Sequence, residues 1–149
     1  PLLAAACGGD SIVAEPLIDG NVVASFDGTE FTPINGYATV VTTEAGDAPV
    51  IVLGTGPIGC GSESRDAPPR GLTAAMRLPE LAEGTYGNVF VQLYSNVDRF
   101  QGAGSNSGSV TITSVTDESV VGEVVFHYTD SMEREFVVDG TFEVVHCAY

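Results

Sequence analysis

The chain of 149 residues lacks both lysine and tryptophan, and its positive charge comes from only five arginines. Against these stand 20 aspartates and glutamates, which give a formal net charge of −15. Because such a surface repels phosphate backbones, the composition excludes a nucleic-acid partner. The sequence also lacks any apolar stretch of the roughly 20 residues that a membrane-spanning helix needs.

The acidic residues are scattered along the chain and form no continuous block. A scattered distribution is typical of a solubilising surface, and the functional alternative is a cationic partner or calcium. Calcium sites need closely spaced oxygen ligands, but the sequence contains no EF-hand loop and no acidic ladder. We therefore predict neither a metal site nor a cofactor.

Short runs rich in β-branched and aromatic residues follow one another from residue 17 onward, and none has a helical period. Turn-forming pairs such as Asp27-Gly28 and Asp117-Glu118 separate these runs. The pattern predicts an all-β fold, either an antiparallel β-sandwich or a small barrel of about eight to nine strands. The predicted strands are residues 17–26, 30–32, 36–43, 50–53, 72–78, 89–94, 109–116, 120–129 and 134–147.

Alternation is clearest in the last predicted strand, residues 134–147. One face carries a mostly apolar set, namely Phe136, Val138, Gly140, Phe142 and Val144. An apolar face opposite a more polar one is typical of an antiparallel sheet packed on one side. Because Gly140 interrupts the run, the sequence allows either a kink in one long strand or a hairpin at Asp139-Gly140.

Two segments look like loops, residues 54–71 and residues 98–108, because both are rich in glycine, serine or proline. Loops of this length on a β scaffold are frequent locations of binding residues. The first contains Gly54, Gly56 and Gly59 in a G-x-G-x-x-G spacing. A dinucleotide site would need a helix to begin there, and a proline-rich stretch follows instead, so we reject that interpretation.

No catalytic constellation emerges from the sequence. A serine nucleophile is expected on a G-x-S-x-G turn, and the residues around Ser105 do not match it. We therefore predict no catalytic residues and no enzymatic activity. A hydrolase whose site cannot be recognised from sequence is kept as an alternative.

Cysteine usage is more informative, because Cys60 lies in the first loop and Cys147 ends the last strand. Two cysteines in an exported domain usually pair, so we predict a Cys60–Cys147 disulfide; two free buried thiols or a metal site are the alternatives. His146 and Cys147 are adjacent on a strand and point to opposite faces, which disfavours a shared metal ion. His127 lies within a strand-like run and is interpreted as a hydrogen-bonded sheet histidine.

The N-terminal residues Leu3-Ala4-Ala5-Ala6-Cys7 resemble the lipobox of bacterial lipoprotein signal peptides, in which small residues precede a modified cysteine. The resemblance implies cleavage after Ala6 and lipidation of Cys7, which would anchor the protein to a membrane. Two features depart from the family: the leucine lies one place early, and the basic start of the signal peptide is missing. The expected division is residues 1–6 as signal-peptide remnant, 7–16 as lipidated cysteine and flexible tether, and 17–149 as a single all-β domain.

In such lipoproteins an aspartate directly after the cysteine favours retention in the inner membrane. Gly8 occupies that place here, which implies the outer membrane, with the domain facing the periplasm or the cell surface. The remaining chain resembles uncharacterised β-rich lipoproteins of Gram-negative bacteria in the segments "DGTEFTPINGYATV", "AEGTY", "GSVTITSV" and "GTFEVVHC". That resemblance implies no activity.

The expected function is a lipid-anchored envelope or cell-surface β-domain that acts as a non-enzymatic binding or structural module with an unknown partner. The first alternative is a barrel-type carrier of a small ligand, which would need an unfilled interior. The second is the hydrolase, which would need a cleft with converging titratable groups.

Overall fold

A computed structural model describes residues 14–61, 71–95 and 101–147, and every regular element in them is a β-strand. The all-β prediction is therefore confirmed. The strands are β1 Asp19–Gly20, β2 Val23–Phe26, β3 Thr29–Phe31, β4 Asn35–Thr43, β5 Gly46–Gly54, β6 Leu72–Arg77, β7 Gly84–Ser95, β8 Gln101–Val115, β9 Ser119–Thr129 and β10 Glu135–His146.

Of the two predicted architectures, the structure is the barrel. Strands β4 to β10 form a closed wall of seven strands in chain order, with each strand antiparallel to the next. The wall closes where the end of β10 pairs with the start of β4, through Val145 opposite Tyr37 and His146 opposite Ala38. This closing pair is parallel and short, whereas β9 and β10 pair along almost their whole length.

The N-terminal strands extend the wall beside β10. β2 pairs with the first half of β10, β1 pairs with its second half, and β3 pairs with β2. Gly20 and Gly140 lie where these chains approach most closely, and both have positive φ. A Cβ on Gly140 would lie 2.7 Å from the Asn21 carbonyl oxygen, so only glycine fits there. Of the two structures that the sequence allowed at Gly140, one continuous strand is the observed one.

Large side chains fill the barrel interior. Phe126, Phe136 and Phe142 are almost completely buried, as are Ile51, Leu53, Met76, Leu93 and Ile112. Phe26 of β2 meets Phe136 edge to face with ring centroids 5.0 Å apart. The β2 strand also contacts β7, which is not its neighbour in the sheet, so the β2–β3 hairpin packs across the barrel.

Two of the predicted segments differ from the observed elements. The expected strand over residues 17–26 is divided into β1 and β2 by residues Asn21 and Val22. The expected loop over residues 98–108 is wrong from residue 101 onward, because β8 begins at Gln101; residues 96–100 lie outside the described part. Glycines there accommodate bulky neighbours, since a Cβ on Gly104 would lie 2.9 Å from the Phe90 ring.

Candidate functional site

The predicted disulfide joins Cys60, in the segment after β5, to Cys147, the residue after β10. The two Cα atoms lie 5.6 Å apart, and the cysteines are separated by 87 positions in the sequence. The bridge therefore connects two distant parts of the chain on the outside of the barrel wall. Residues 62–70 of the predicted 54–71 loop lie outside the described part.

Beneath the bridged segment lies a second hydrophobic cluster, separate from the interior. We call it the outer cluster; its buried members are Tyr37 of β4, Val52 of β5, Ile58 and Cys147. Ile58 is completely buried although it belongs to no strand. The side-chain amide of the buried Asn35 donates to the Gly56 carbonyl over 2.8 Å and so attaches the segment to the wall. Residues 55–61 thus form a cover over one patch of β4 and β5.

The N-terminal segment is hydrogen-bonded to the same cover. The Glu15 amide donates to the Ile58 carbonyl over 3.0 Å, and the Glu15 carbonyl accepts from the Gly36 amide over 2.9 Å. Pro16 forms an isolated bridge with Asn35. Glu15 and Pro16, which the sequence assigns to the tether, are therefore attached to the barrel. Cys7 and the other residues up to 13, which are predicted to form the leader and tether, lie outside the described part.

The two histidines lie apart and have different partners. His127 Nε2 lies 3.4 Å from Asp139 Oδ2, and both side chains are more than half exposed. His146 Nδ1 donates to the Thr116 carbonyl over 2.6 Å and so holds the β8–β9 turn. Across the described ranges, no group of three or more histidine, cysteine, aspartate or glutamate side chains could hold a metal ion.

The Asp130 carboxylate organises the β9–β10 turn. It accepts bonds from the amides of Arg134 and Met132 over 2.9 Å each and pairs with the Arg134 guanidinium at 2.8 Å. The bond from the Arg134 amide is the main cause that lowers the pKa of Asp130, against a smaller opposing effect of burial. Since these groups all belong to one turn, the arrangement stabilises a hairpin and leaves no group aimed at a ligand.

Other titratable groups also serve the fold. The Tyr86 hydroxyl donates to the Ala82 carbonyl over 2.7 Å. Burial, followed by the nearby charge of Glu80, raises the pKa of Tyr86, so the phenol keeps its proton at neutral pH. A shallow depression of about 80 Å³ beside β1 is lined by Asp19, Gly20, Val121, Thr141, Phe142 and Glu143. Its two carboxylates have no histidine, cysteine or arginine beside them in that lining.

The sequence located the disulfide but not the outer cluster that it covers. Tyr37 and Val52 lie in predicted strands, and Ile58 is the one large apolar residue within a glycine-rich segment. That isolated isoleucine was the sequence feature that could have indicated the outer cluster, because a large apolar side chain in a loop usually packs on a neighbouring surface.

In the residues that the structure describes, no helix is long and apolar enough to cross a membrane. Comparison of the chain with protein families, with curated proteins and with solved structures yields no match.

Proposed function

We propose that this protein is a lipid-anchored envelope or cell-surface domain that acts as a non-enzymatic binding or structural module. The observation that carries the proposal is the filled barrel interior, together with a covalently held cover on the outer wall. A module of this kind presents its outer surface to a partner, and a packed interior gives that surface a rigid support.

The packed interior favours this function over the carrier. A carrier would need an internal space of several hundred Å³ for a small ligand. Here Phe126, Phe136 and Phe142 point into the barrel and are buried to 99% or more. The described titratable groups favour the module over the hydrolase, because His127 pairs with Asp139, whereas Asp130 is bonded to the amides and the guanidinium of its own turn.

The disulfide supports an exported location. Disulfides persist in oxidising compartments such as the periplasm and the cell surface and are rare in the cytosol. The hydrogen bonds of Glu15 attach this part of the N-terminal segment to the disulfide-bound cover. An anchor at Cys7 would be seven positions before Ala14, which allows a span of at most about 25 Å. The cover and the anchor would then be close together.

Metabolic labelling tests the anchor. The chain, preceded by a complete lipoprotein signal peptide, is produced in a Gram-negative host fed an alkyne fatty acid, and the label is read after click chemistry. We expect label on the parent protein and none on Cys7→Ser. The matched control is Cys60→Ser with Cys147→Ser, which removes the other two cysteines and should keep the label. An unlabelled parent, or a labelled Cys7→Ser variant, would refute lipid anchoring.

Location and the carrier alternative have separate tests. Density fractionation should find the parent in the outer membrane and a Gly8→Asp variant in the inner membrane. Native mass spectrometry of the purified Cys7→Ser variant, which carries no lipid, should show the mass of the chain alone. A bound small molecule at one equivalent would overturn the module in favour of the carrier.

A further inference from the structure

The barrel closes on only half of β4. On one side β4 pairs with β5 from Asn35 to Thr43. On the other side its pairing with β10 ends at Ala38, opposite His146. The second half of β4, residues 39–43, therefore has a wall strand on one side only, within the part of the chain that the structure describes. We call residues 39–43 the open edge.

Two hydrogen bonds show which backbone groups face the open side. The Gly36 amide donates to the Glu15 carbonyl, and the Ala38 carbonyl accepts from the Cys147 amide. Even-numbered residues of β4 thus direct their backbone groups away from β5. Because backbone direction alternates along a strand, Val40 and Thr42 direct their amides and carbonyls outward from the open edge.

The open edge has the composition of a strand that accepts pairing. Its sequence is Thr-Val-Val-Thr-Thr, all β-branched, without charge or proline, and Val40 is 41% exposed. Proteins commonly protect a free edge with lysine, proline, a bulge or a very short strand. The open edge has no lysine, proline or bulge, and β4, with nine residues, is not a short strand.

Acidic side chains flank the open edge at both ends. Glu44 is exposed in the β4–β5 turn just beyond Thr43, and Asp47 is exposed at the start of β5, where its carboxylate accepts a hydrogen bond from the Thr42 hydroxyl over 3.3 Å. Asp117 and Glu118 are exposed in the β8–β9 turn, which the His146 amide joins to the end of β10 by a 2.9 Å bond to the Glu118 carbonyl. An added strand would run between two pairs of carboxylates, which favours lysine or arginine on that strand.

We propose that the open edge binds an extended, basic segment of a partner protein, which adds a strand to the barrel wall beyond the end of β10. The backbone of Val40 and Thr42 supplies the hydrogen bonds, and the flanking carboxylates select the charge. A second copy of this chain fits less well, because each copy carries a net charge of −15. The proposal takes from the proposed function only that the domain is a binding module, and it does not depend on the anchor.

The test uses the whole 149-residue chain and a fluorescein-labelled octapeptide of alternating lysine and valine, read by fluorescence anisotropy. We expect saturable binding that weakens as salt is raised. An octapeptide of alternating glutamate and valine should not bind. A lysine–valine peptide methylated on alternate backbone nitrogens should bind about tenfold more weakly, since it loses ladder hydrogen bonds.

A proline substitution identifies the edge. Val40→Pro removes an amide that faces outward and is not bonded to β5, so the barrel should keep its urea midpoint. Peptide binding should fall by about tenfold or more, whereas the matched variant Val40→Ala should stay within about twofold of the parent. If Val40→Pro unfolds, the methylated peptide provides the same test on the parent.

Three results would overturn the proposal. They are no binding of the basic peptide, equal binding to the parent and a folded Val40→Pro, and equal binding of the acidic peptide. Dimers of the parent that Val40→Pro dissociates, seen by sedimentation, would assign the edge to a second copy instead. Binding that appears only after removal of residues 148–149 would assign the edge to the end of this chain. The labelling of Cys7 is unaffected by any of these outcomes, so the two proposals fail separately.

Discussion

The inside and the outside of the β4–β5 wall are both buried, but by different means. Ile51 and Leu53 point inward and are enclosed by side chains from all around the barrel. Val52, between them, points outward and is enclosed by a short segment that carries Ile58 and ends in a disulfide. The interior is held by many weak contacts from seven strands, whereas the outer cluster depends on one covalent bond and a few hydrogen bonds. Burial alone therefore does not show how a side chain is retained.

Removing the disulfide should lower the free energy of unfolding the most, and the structural change should be confined to the outer cluster. Cys60→Ala with Cys147→Ala opens a loop closed over 87 positions, and we expect a loss of about 4–5 kcal/mol in the free energy of unfolding. Urea denaturation measures the loss, and the parent under reducing conditions is the control. The barrel should keep its β-sheet circular dichroism, since its interior contacts are untouched. A variant as stable as the parent would contradict the comparison.

Truncating one aromatic side chain of the barrel interior should lower the free energy of unfolding slightly less than removing the disulfide does. Phe136 is completely buried and contacts the rings of Phe26 and Tyr128. Phe136→Ala should lower the free energy of unfolding by about 3–5 kcal/mol through the cavity that it leaves. The neighbouring Val137, which faces outward and is half-buried, provides the matched control: Val137→Ala should cost below about 1 kcal/mol. Similar losses for both variants would show that the interior is not the main core.

A double-mutant cycle between Ile58 and the disulfide tests whether the outer cluster depends on the bridge. In the parent, Ile58→Ala should cost about 2–3 kcal/mol, because Ile58 is completely buried. In the disulfide-free background the same change should cost below about 1 kcal/mol, since the released cover no longer packs Ile58 on Val52. Equal costs in the two backgrounds would mean that the cover stays in place without the bridge.

The smallest effect should come from pH and should lie in the β9–β10 turn, away from both clusters. The pKa of Asp130 is lowered from its ordinary 3.8 in the folded protein, chiefly by the Arg134 amide. Its contribution is fully present above the unfolded pKa and is lost as pH falls through the lower folded value. Asp130→Asn should therefore reduce the fall in stability between pH 4 and 2, measured by urea midpoints. An unchanged acid profile would contradict this role.

Much of the barrel could be predicted because its strands alternate. The apolar set Phe136, Val138, Phe142 and Val144 is buried as expected, and Gly140 lies with positive φ inside one continuous strand. Residues 101–108 were missed because glycine and serine have low strand propensity. Their neighbours Phe90 and Val91 supply the bulk that Gly104 and Gly108 lack, and no single segment shows such compensation.

Closure could not be predicted either, for a different reason. Val145 and Tyr37 pair across more than 100 positions, in a parallel arrangement that the local alternation of each strand does not specify. The choice between sandwich and barrel depends on that pair. The disulfide was predictable because the assignment of Cys7 to the leader left two cysteines to pair. The outer cluster was not, because Ile58 packs with Tyr37 and Cys147, which are distant from it in the sequence.

The short parallel seam between β10 and β4 also determines when the protein can finish folding. Strands β4 to β9 can pair in order as a meander, each with the strand just before it. By contrast, β1, β2 and the start of β4 each pair with β10, which ends at residue 146. These pairs cannot form until β10 has been synthesised. A chain that is still emerging from the ribosome therefore holds an unclosed sheet, because the closing pair needs the last strand.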